Sequence, residues 1–249
     1  MKVVYKEITM KVIVCKDYQE MSKKANEYVK EVLVNKKDAI LGLATGSTPE
    51  GLYQEMVADY KAGDTDYETV SSYNLDEYVG IEQSHPESYY SFMHKHLFDQ
   101  VNIKAENTHL PSGTSQADAN SYEEELKKVT IDCQVLGIGR NGHIGFNEPG
   151  TLFTEGTHIV DLTPSTIEAN CRFFDNDPNQ VPKQAISMGI ASILRSKQLL
   201  VLASGKEKAE AVKGMIEGPV TETCPASILQ KHDDVIVIID EAAASALSK

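Results

Sequence analysis

The chain has 249 residues, enough for one sizeable core, and no linker-like or low-complexity tract divides it. With 24 Lys and Arg against 37 Asp and Glu, its formal net charge of −13 disfavours binding to nucleic-acid backbones and anionic membranes. No apolar run approaches the roughly 18 residues of a membrane helix, and the first residues lack a secretory signal. We expect one soluble, cytoplasmic domain over residues 1–249, with no nucleic-acid or membrane partner.

The first residues contain a near repeat. Met1–Tyr5 reads MKVVY, and Met10–Val14 reads MKVIV. In one interpretation Met10 is a natural start and residues 1–9 are an extension; in the other, residues 1–9 are an ordinary first segment. We expect a committed strand only from Lys11.

Short β-branched runs alternate with longer segments of helical periodicity, which is typical of βα units around a parallel sheet. The predicted strands are Lys11–Cys15, Ala39–Ala44, Val70–Leu75, Ile131–Gly137, Gln198–Ala203 and Val235–Asp240. The predicted helices are one capped by Asp17, then Pro49–Ala62, Pro86–Asp99, Ser115–Lys128, Ser165–Cys171, Lys183–Arg195, Lys206–Glu217 and Glu241–Leu247. This order predicts an α/β fold, a mostly parallel twisted sheet with helices on both faces, as in Rossmann-like proteins.

Ligands of such sheets gather at the carboxyl ends of the strands, and several strand ends here carry unusual residues. The second strand runs into Thr45-Gly46-Ser47-Thr48, followed by Pro49. We expect Thr48 to cap the next helix, with Pro49 in its first turn. Such a helix start binds a phosphate readily, although plain capping is an equally good interpretation of the motif by itself.

The third strand ends in two adjacent carboxylates, Asp76 and Glu77. Consecutive acids on a turn are usually solvated surface residues. At a ligand-binding edge, however, one of them is a candidate general base with a raised pKa. Strand alternation predicts that only one of the two faces the ligand.

Residues Leu136–Gly150 read LGIGRNGHIGFNEPG, an apolar run that ends in a glycine-rich loop. His143 is the one side chain in it whose ordinary pKa lies near neutrality. Glu148, five residues on, is able to orient the imidazole and favour its charged form, and Asn141 is close by in sequence. The loop therefore predicts acid–base chemistry in a pocket.

Three cations are candidate phosphate ligands. Lys206 and Lys208 stand at a predicted helix start, where the helix dipole disfavours a cation unless an anion lies between them. Arg172 is flanked by apolar residues and is suited to a bidentate contact. For each of them, a solvated surface cation is the alternative interpretation.

No metal site is predicted, because neither the histidines nor the cysteines show ligand spacing. The cysteines lack a CxxC pair and fit a reducing compartment better than a disulfide framework. They are Cys15, Cys133, Cys171 and Cys224.

Seven motifs then follow one another in a recognisable order. They are LGLATGSTPEGLY from Leu41, NLDEYVG from Asn74, HPESYYSFM from His85, LGIGRNGHIGFNEPG from Leu136, ANCRFFDND from Ala169, VPKQAISMG from Val181 and SGKEKAEAV from Ser204. Over nearly its whole length the chain resembles the glucosamine-6-phosphate deaminase (isomerase) family, in its short, non-allosteric branch.

The resemblance implies conversion of glucosamine 6-phosphate and water to fructose 6-phosphate and ammonia, an amino-sugar hydrolase reaction that needs no cofactor. It implies that His143 opens the pyranose ring while Glu148 and Asn141 hold the imidazole. Asp76 would then remove the C2 proton and return it at C1, through an enolamine that loses ammonia. The substrate-binding residues that it implies are Thr45, Gly46, Ser47, Thr48, Gly145, Arg172 and Lys208, with Lys206 less certain.

Two departures from the allosteric branch carry predictions. Asn141 stands where that branch has an aspartate, so Glu148 alone would stabilise the imidazolium by charge. Basic effector-binding positions of that branch are His158 and Val160 here. We expect no activation by N-acetylglucosamine 6-phosphate, a monomer or small homo-oligomer, and a role in amino-sugar catabolism and N-acetylglucosamine utilisation.

Two alternative functions remain to be weighed. A 6-phosphogluconolactonase has a similar fold and loop histidine, but it places an arginine after the two acids, where this chain has Tyr78. A sugar-phosphate-sensing domain would accompany a DNA-binding helix-turn-helix, for which the residues before the first strand leave no room. Ammonia release would distinguish a deaminase from the lactonase. Binding of a phosphosugar without turnover would instead identify a sensing domain.

Overall fold

The computed structural model describes residues 10–248, so the suggested extension, residues 1–9, lies outside the described residues. The strands are β1 (Met10–Cys15), β2 (Ile40–Leu43), β3 (Ser71–Asn74), β4 (Asp76–Tyr78), β5 (Thr108–His109), β6 (Cys133–Gly137), β7 (His158–Asp161), β8 (Gln184–Ser187), β9 (Gln198–Ala203) and β10 (Val235–Asp240). The helices are α1 (Tyr18–Asn35), α2 (Glu50–Ala62), α3 (Tyr89–His96), α4 (Gln116–Leu126), α5 (Pro164–Asn170), α6 (Ile190–Leu194) and α7 (Ala209–Glu217). Between residues 10 and 248, none of the helices is both long and apolar enough to cross a membrane.

Seven strands form one parallel sheet in the order β1–β10–β9–β6–β2–β3–β5. All six predicted strands belong to it, which confirms the mostly parallel α/β fold. The central strands are buried on both faces, and every residue of β10 is buried. The chain builds outward in one direction from β2 and in the other from β6, so the topological switch point lies between these two strands.

A second, antiparallel sheet of three strands, β4–β8–β7, adjoins the first. It packs over a small apolar cluster that includes Tyr78, Phe146 and Phe174. Leu75 joins the two sheets: its N–H donates to the Leu43 carbonyl, and its carbonyl accepts from the Met188 N–H. Asp76 therefore lies where the chain passes from one sheet to the other.

Two helix predictions are wrong in whole or in part. Gln184–Ser187, in the first half of the predicted helix Lys183–Arg195, forms β8, because it pairs with strands on both sides. Only Ile190–Leu194 is helical there. The predicted helix Glu241–Leu247 is instead a run of turns, at whose start the Asp240 side chain accepts the Ala243 N–H.

The two predicted helix caps have different outcomes. The Asp17 side chain accepts the N–H of Glu20 and caps α1, as predicted. Thr48 makes no such bond, because α2 begins only at Glu50. The Tyr18 hydroxyl takes over, accepting the Gly51 N–H at 2.8 Å and donating to the Ser47 carbonyl at 2.9 Å.

Candidate active site

Four adjacent strands of the sheet, β9, β6, β2 and β3, bring the sequence motifs to one edge. Their carboxyl ends lead to Lys208, His143, Thr45 and Asp76 respectively. Gly145 shows how closely the parts approach: a Cβ there would lie 3.7 Å from Asp76 Oδ2 and 3.0 Å from Ser187 Oγ. With a φ of +57°, the position favours glycine on conformational grounds as well.

The neighbouring carboxylates Asp76 and Glu77 have different surroundings. Glu77 accepts the backbone N–H groups of Tyr78, Tyr89 and Tyr90 and so anchors the start of α3. The Asp76 side chain is buried, and its carboxylate has no hydrogen-bonding partner among the described residues. Only Asp76 is near the His143 loop, as the strand alternation predicted.

The environment of Asp76 disfavours its charge. Burial raises its pKa to about 8, and the negative charge of Glu77 adds to the effect. A carboxyl group with a pKa in this range holds and releases a proton near neutral pH. Asp76 thus has the properties of a general acid–base group.

The raised pKa predicts how Asp76→Asn changes stability with pH. Between about pH 4 and pH 8, native Asp76 retains a proton that the unfolded chain releases, so this group makes the protein less stable as pH rises. Asparagine does not titrate. In urea unfolding at pH 5, 7 and 9, the variant should therefore gain stability relative to the unsubstituted protein, by about 1 kcal/mol per pH unit up to pH 8. If the free energies of unfolding of the two proteins changed in parallel with pH, this prediction would be contradicted.

His143 and Glu148 form the second part of the site. His143 Nδ1 lies 3.3 Å from Glu148 Oε2, close enough for an ion pair but not aligned for a hydrogen bond. Burial would raise the pKa of Glu148, but His143, Thr166 and Asn141 outweigh it and lower the pKa to about 2. Glu148 is thus a negative charge held beside the imidazole.

Glu148 is itself held by neighbours. Asn141 Nδ2 donates to Glu148 Oε2 at 2.5 Å, and Thr166 Oγ1 donates to Oε1 at 2.6 Å. Asn141 also accepts the His143 backbone N–H at 3.2 Å. Sequence reasoning missed Thr166, because its contact crosses from α5 to the loop and leaves no local pattern.

Gly139 provides the surface on which the imidazole of His143 rests. A Cβ at this position would lie 2.2–2.4 Å from three ring atoms of His143. Gly139→Ala should therefore displace the ring and lower kcat/KM for the reaction proposed below by at least about tenfold. Gly137→Ala is the control, because a Cβ there meets nothing within 4 Å. Equal kcat/KM values for two folded variants, checked by thermal unfolding, would contradict this role.

The Thr45–Thr48 segment leaves its polar groups available for a ligand. Its backbone N–H groups have no acceptor among residues 10–248, and Gly46 has a φ of +95°. Since Thr48 does not cap α2, its hydroxyl is available too. The predicted anion-binding segment thus has the required donors at the carboxyl end of β2.

Lys208 lies on a short 3-10 turn, Lys206–Lys208, that precedes α7. Its ammonium donates to the Ile138 carbonyl at 2.8 Å, whereas Lys206 is exposed. Burial lowers the pKa of Lys208; Glu207 opposes this shift, and Arg140 and Arg172 add to it. Arg172 was a candidate from the sequence, whereas Arg140 was not, because nothing in a glycine-rich loop singles out an arginine.

Among residues 10–248, no three His, Cys, Asp or Glu side chains are arranged to hold a metal ion.

A family model described as Glucosamine-6-phosphate isomerases/6-phosphogluconolactonase matches residues 16–238. The chain belongs to this family. Its relatives include glucosamine-6-phosphate deaminase 2 of Bacillus subtilis, 51% identical over 96% of this chain and 98% of that protein. The glucosamine-6-phosphate deaminase of Clostridioides difficile is 54% identical over 96% of this chain and 97% of that protein.

Solved structures separate the two activities in the family description. A monomeric glucosamine-6-phosphate deaminase of the NagB superfamily superposes with a TM-score of 0.93 and 43% identity, covering 96% of this chain and all of that one. The 6-phosphogluconolactonase of Trypanosoma brucei has a TM-score of 0.78 and 17% identity, covering 95% and 98%. The lactonase therefore shares the fold alone with this chain.

Proposed function

We propose that the protein converts glucosamine 6-phosphate and water to fructose 6-phosphate and ammonia. The observation that carries the proposal is the buried Asp76, without a hydrogen-bonding partner among the described residues, beside a loop that holds the His143–Glu148 pair. An aldose–ketose shift needs one group that serves two adjacent carbons, and ring opening needs another. Relatives named glucosamine-6-phosphate deaminase, about half identical over nearly the whole chain, support it.

The substrate phosphate binds at the cationic end of the site in this proposal. Lys208 and Arg172 supply charge, and the Thr45–Thr48 segment supplies N–H and hydroxyl donors. Gly145 lets the sugar approach the loop backbone closely. Fixing the phosphate places the sugar carbons near Asp76 and His143, which is worth several orders of magnitude in rate.

Ring opening is the first chemical step. His143 takes the proton of the anomeric hydroxyl and delivers one to the ring oxygen, so that the C1–O5 bond breaks and C1 becomes an aldehyde. The positive charge that the imidazole gains is stabilised by Glu148, whose pKa of about 2 keeps it ionised. Asn141, held between Glu148 and the His143 backbone, fixes the geometry.

Proton transfer between C2 and C1 follows. Asp76 removes the C2 proton, the substrate's 2-ammonium group gives a proton to the C1 oxygen, and a neutral enolamine forms between C1 and C2. Asp76 then returns its proton to C1, which leaves an iminium at C2. Water adds at C2 and ammonia departs, so that the ketone oxygen comes from water; on this ground we class the reaction as hydrolytic.

The lactonase alternative is disfavoured by Tyr78. This residue stands where the lactonase pattern expects an arginine, and it is buried in the small apolar cluster, where Asn170 donates to its hydroxyl at 3.0 Å. A sensing domain would have no use for an acid–base pair of this kind. Neither alternative explains Asp76 and His143 together.

We also infer a monomer or small homo-oligomer, by analogy with the monomeric solved relative. A cytoplasmic role in amino-sugar catabolism and N-acetylglucosamine utilisation is an extension of the proposal by family resemblance. His158 lies in β7, and its ring Nδ1 is within hydrogen-bond distance of the Gly156 carbonyl oxygen. Val160 follows in the same strand. These residues offer little to a phosphorylated effector.

The test is ammonia release from glucosamine 6-phosphate, coupled to detection of fructose 6-phosphate, with and without N-acetylglucosamine 6-phosphate. We expect equal amounts of both products, and hyperbolic rate curves that the effector leaves unchanged. Absence of ammonia would overturn the proposed function, and lactone hydrolysis would then be measured. A sigmoidal curve that the effector makes hyperbolic would overturn the non-allosteric assignment alone.

A further inference from the structure

Arginine is rare in this chain, and its distribution is uneven. Of 24 Lys and Arg residues only three are arginine: Arg140, Arg172 and Arg195. Arg195 pairs with Glu123 at 2.8 Å, away from the candidate site. The other two both lie close enough to Lys208 to affect its charge. A chain that carries most of its positive charge on lysine thus has two of its three arginines at this one place.

The backbone on both sides of Arg140 is fixed by contacts with the site. The carbonyl of Ile138, two residues before it, accepts the Lys208 ammonium at 2.8 Å. The Gly142 N–H donates to the Gly139 carbonyl at 3.0 Å, which closes a turn with Arg140 and Asn141 at its two corners. The Asn141 side-chain amide donates a hydrogen bond to Glu148. Arg140 therefore lies on a hydrogen-bonded turn of the chain between Ile138, which binds Lys208, and His143.

The side chain of Arg140 has no structural task among residues 10–248. It is exposed, and it makes no ion pair or side-chain hydrogen bond with them, in contrast to Arg195. Arg172 likewise lacks a carboxylate partner and stacks over the Phe173 ring. Among the described residues, Glu207 is the one carboxylate whose charge clearly affects the pKa of Lys208. Three cations against one acid, in a protein of net charge −13, indicate a site for an anion of high charge.

We propose that Arg140 is a third ligand of the substrate phosphate and completes a clamp with Lys208 and Arg172. This inference rests on the proposed function. The guanidinium is suited to the role because its rigid, planar fork of N–H donors matches two phosphate oxygens, whereas an ammonium acts as a point charge. A dianionic phosphate has oxygens enough for all three cations. The monoanion and neutral sugars would gain less from the third cation.

Arg140→Gln and Arg140→Lys test the proposal, with Lys128→Gln as the control. Lys128 is an exposed cation shortly before β6, whereas Arg140 follows the same strand, so the control removes an equal charge from the opposite edge. Two constants are measured: KM for glucosamine 6-phosphate, and the inhibition constant of inorganic phosphate. Thermal unfolding establishes that each variant is folded.

For Arg140→Gln we expect both constants to rise by the same factor, about tenfold, with kcat within about twofold. Arg140→Lys should recover part of the loss, and Lys128→Gln should match the unsubstituted protein. The proposal is overturned if Arg140→Gln matches Lys128→Gln in both constants, or if kcat falls while both constants stay unchanged. If the unsubstituted protein releases no ammonia, the proposed function fails, and direct calorimetric binding of inorganic phosphate to the same variants decides on Arg140 separately.

Discussion

Asp76→Asn is expected to lower kcat for ammonia release by about 10³-fold, while KM changes by less than about threefold. The substitution preserves the size of the side chain and removes the buried carboxylate that lies beside Gly145 of the His143 loop. General acid–base groups contribute factors of about 10²–10⁴, and a base that serves two carbons belongs in the upper part of this range. Steady-state kinetics and calorimetric binding of fructose 6-phosphate measure the two effects.

Isotope exchange makes this prediction more specific. With fructose 6-phosphate and ammonium in heavy water, the unsubstituted protein should exchange a C1 proton for deuterium through the iminium and the enolamine, and Asp76→Asn should not. Glu77→Gln is the control, since it removes the neighbouring carboxylate, which binds the start of α3. It should destabilise the fold yet keep kcat within about tenfold. Turnover of Asp76→Asn at the unsubstituted rate would contradict the assignment of the base.

Lys208→Ala is expected to lower kcat/KM by about 10²-fold, chiefly through a higher KM. The ammonium is half-buried and held by the Ile138 carbonyl, so it is already ordered before a phosphate arrives. A hydrogen bond to a charged group contributes about 1.5–3 kcal/mol, which corresponds to roughly ten- to a hundredfold in affinity. KM for glucosamine 6-phosphate is the decisive measurement.

Lys206→Ala is the matched control, because Lys206 lies on the same short turn with its side chain exposed. We expect its KM to differ from that of the unsubstituted protein by less than twofold. An unchanged KM in Lys208→Ala together with a raised KM in Lys206→Ala would transfer the phosphate role to Lys206. Lys208→Ala also leaves the Ile138 carbonyl without its donor, so thermal unfolding must accompany the kinetics.

The site could be predicted to a considerable extent from local sequence, because several of its parts are sequence-local. Strand alternation separated the environments of Asp76 and Glu77 before any contact was known. The glycine-rich loop brings Asn141, His143 and Glu148 together within eight residues, so their contacts need little of the remaining chain.

Other parts were missed or wrongly assigned because their contacts are distant in sequence. Thr166 reaches Glu148 from α5, and Tyr18 replaces the expected cap at Thr48 from α1. The strand β8 was predicted to be helical, because its pairing partners β4 and β7 both lie more than twenty residues earlier in the chain and leave no local signal. Arg140 lacks any local signal, since its significance depends on Lys208.

By itself, then, the sequence determined the parallel α/β architecture and identified the candidate acid–base groups and phosphate-binding segments, because hydrophobic periodicity and turn chemistry act over a few residues. The tertiary structure decided which groups meet. Burial beside Glu77 gives Asp76 its raised pKa, and the order β9–β6–β2–β3 brings Lys208, His143, Thr45 and Asp76 to one edge. The physical reason is that desolvation and electrostatic interactions depend on distance in space, which chain position does not encode locally.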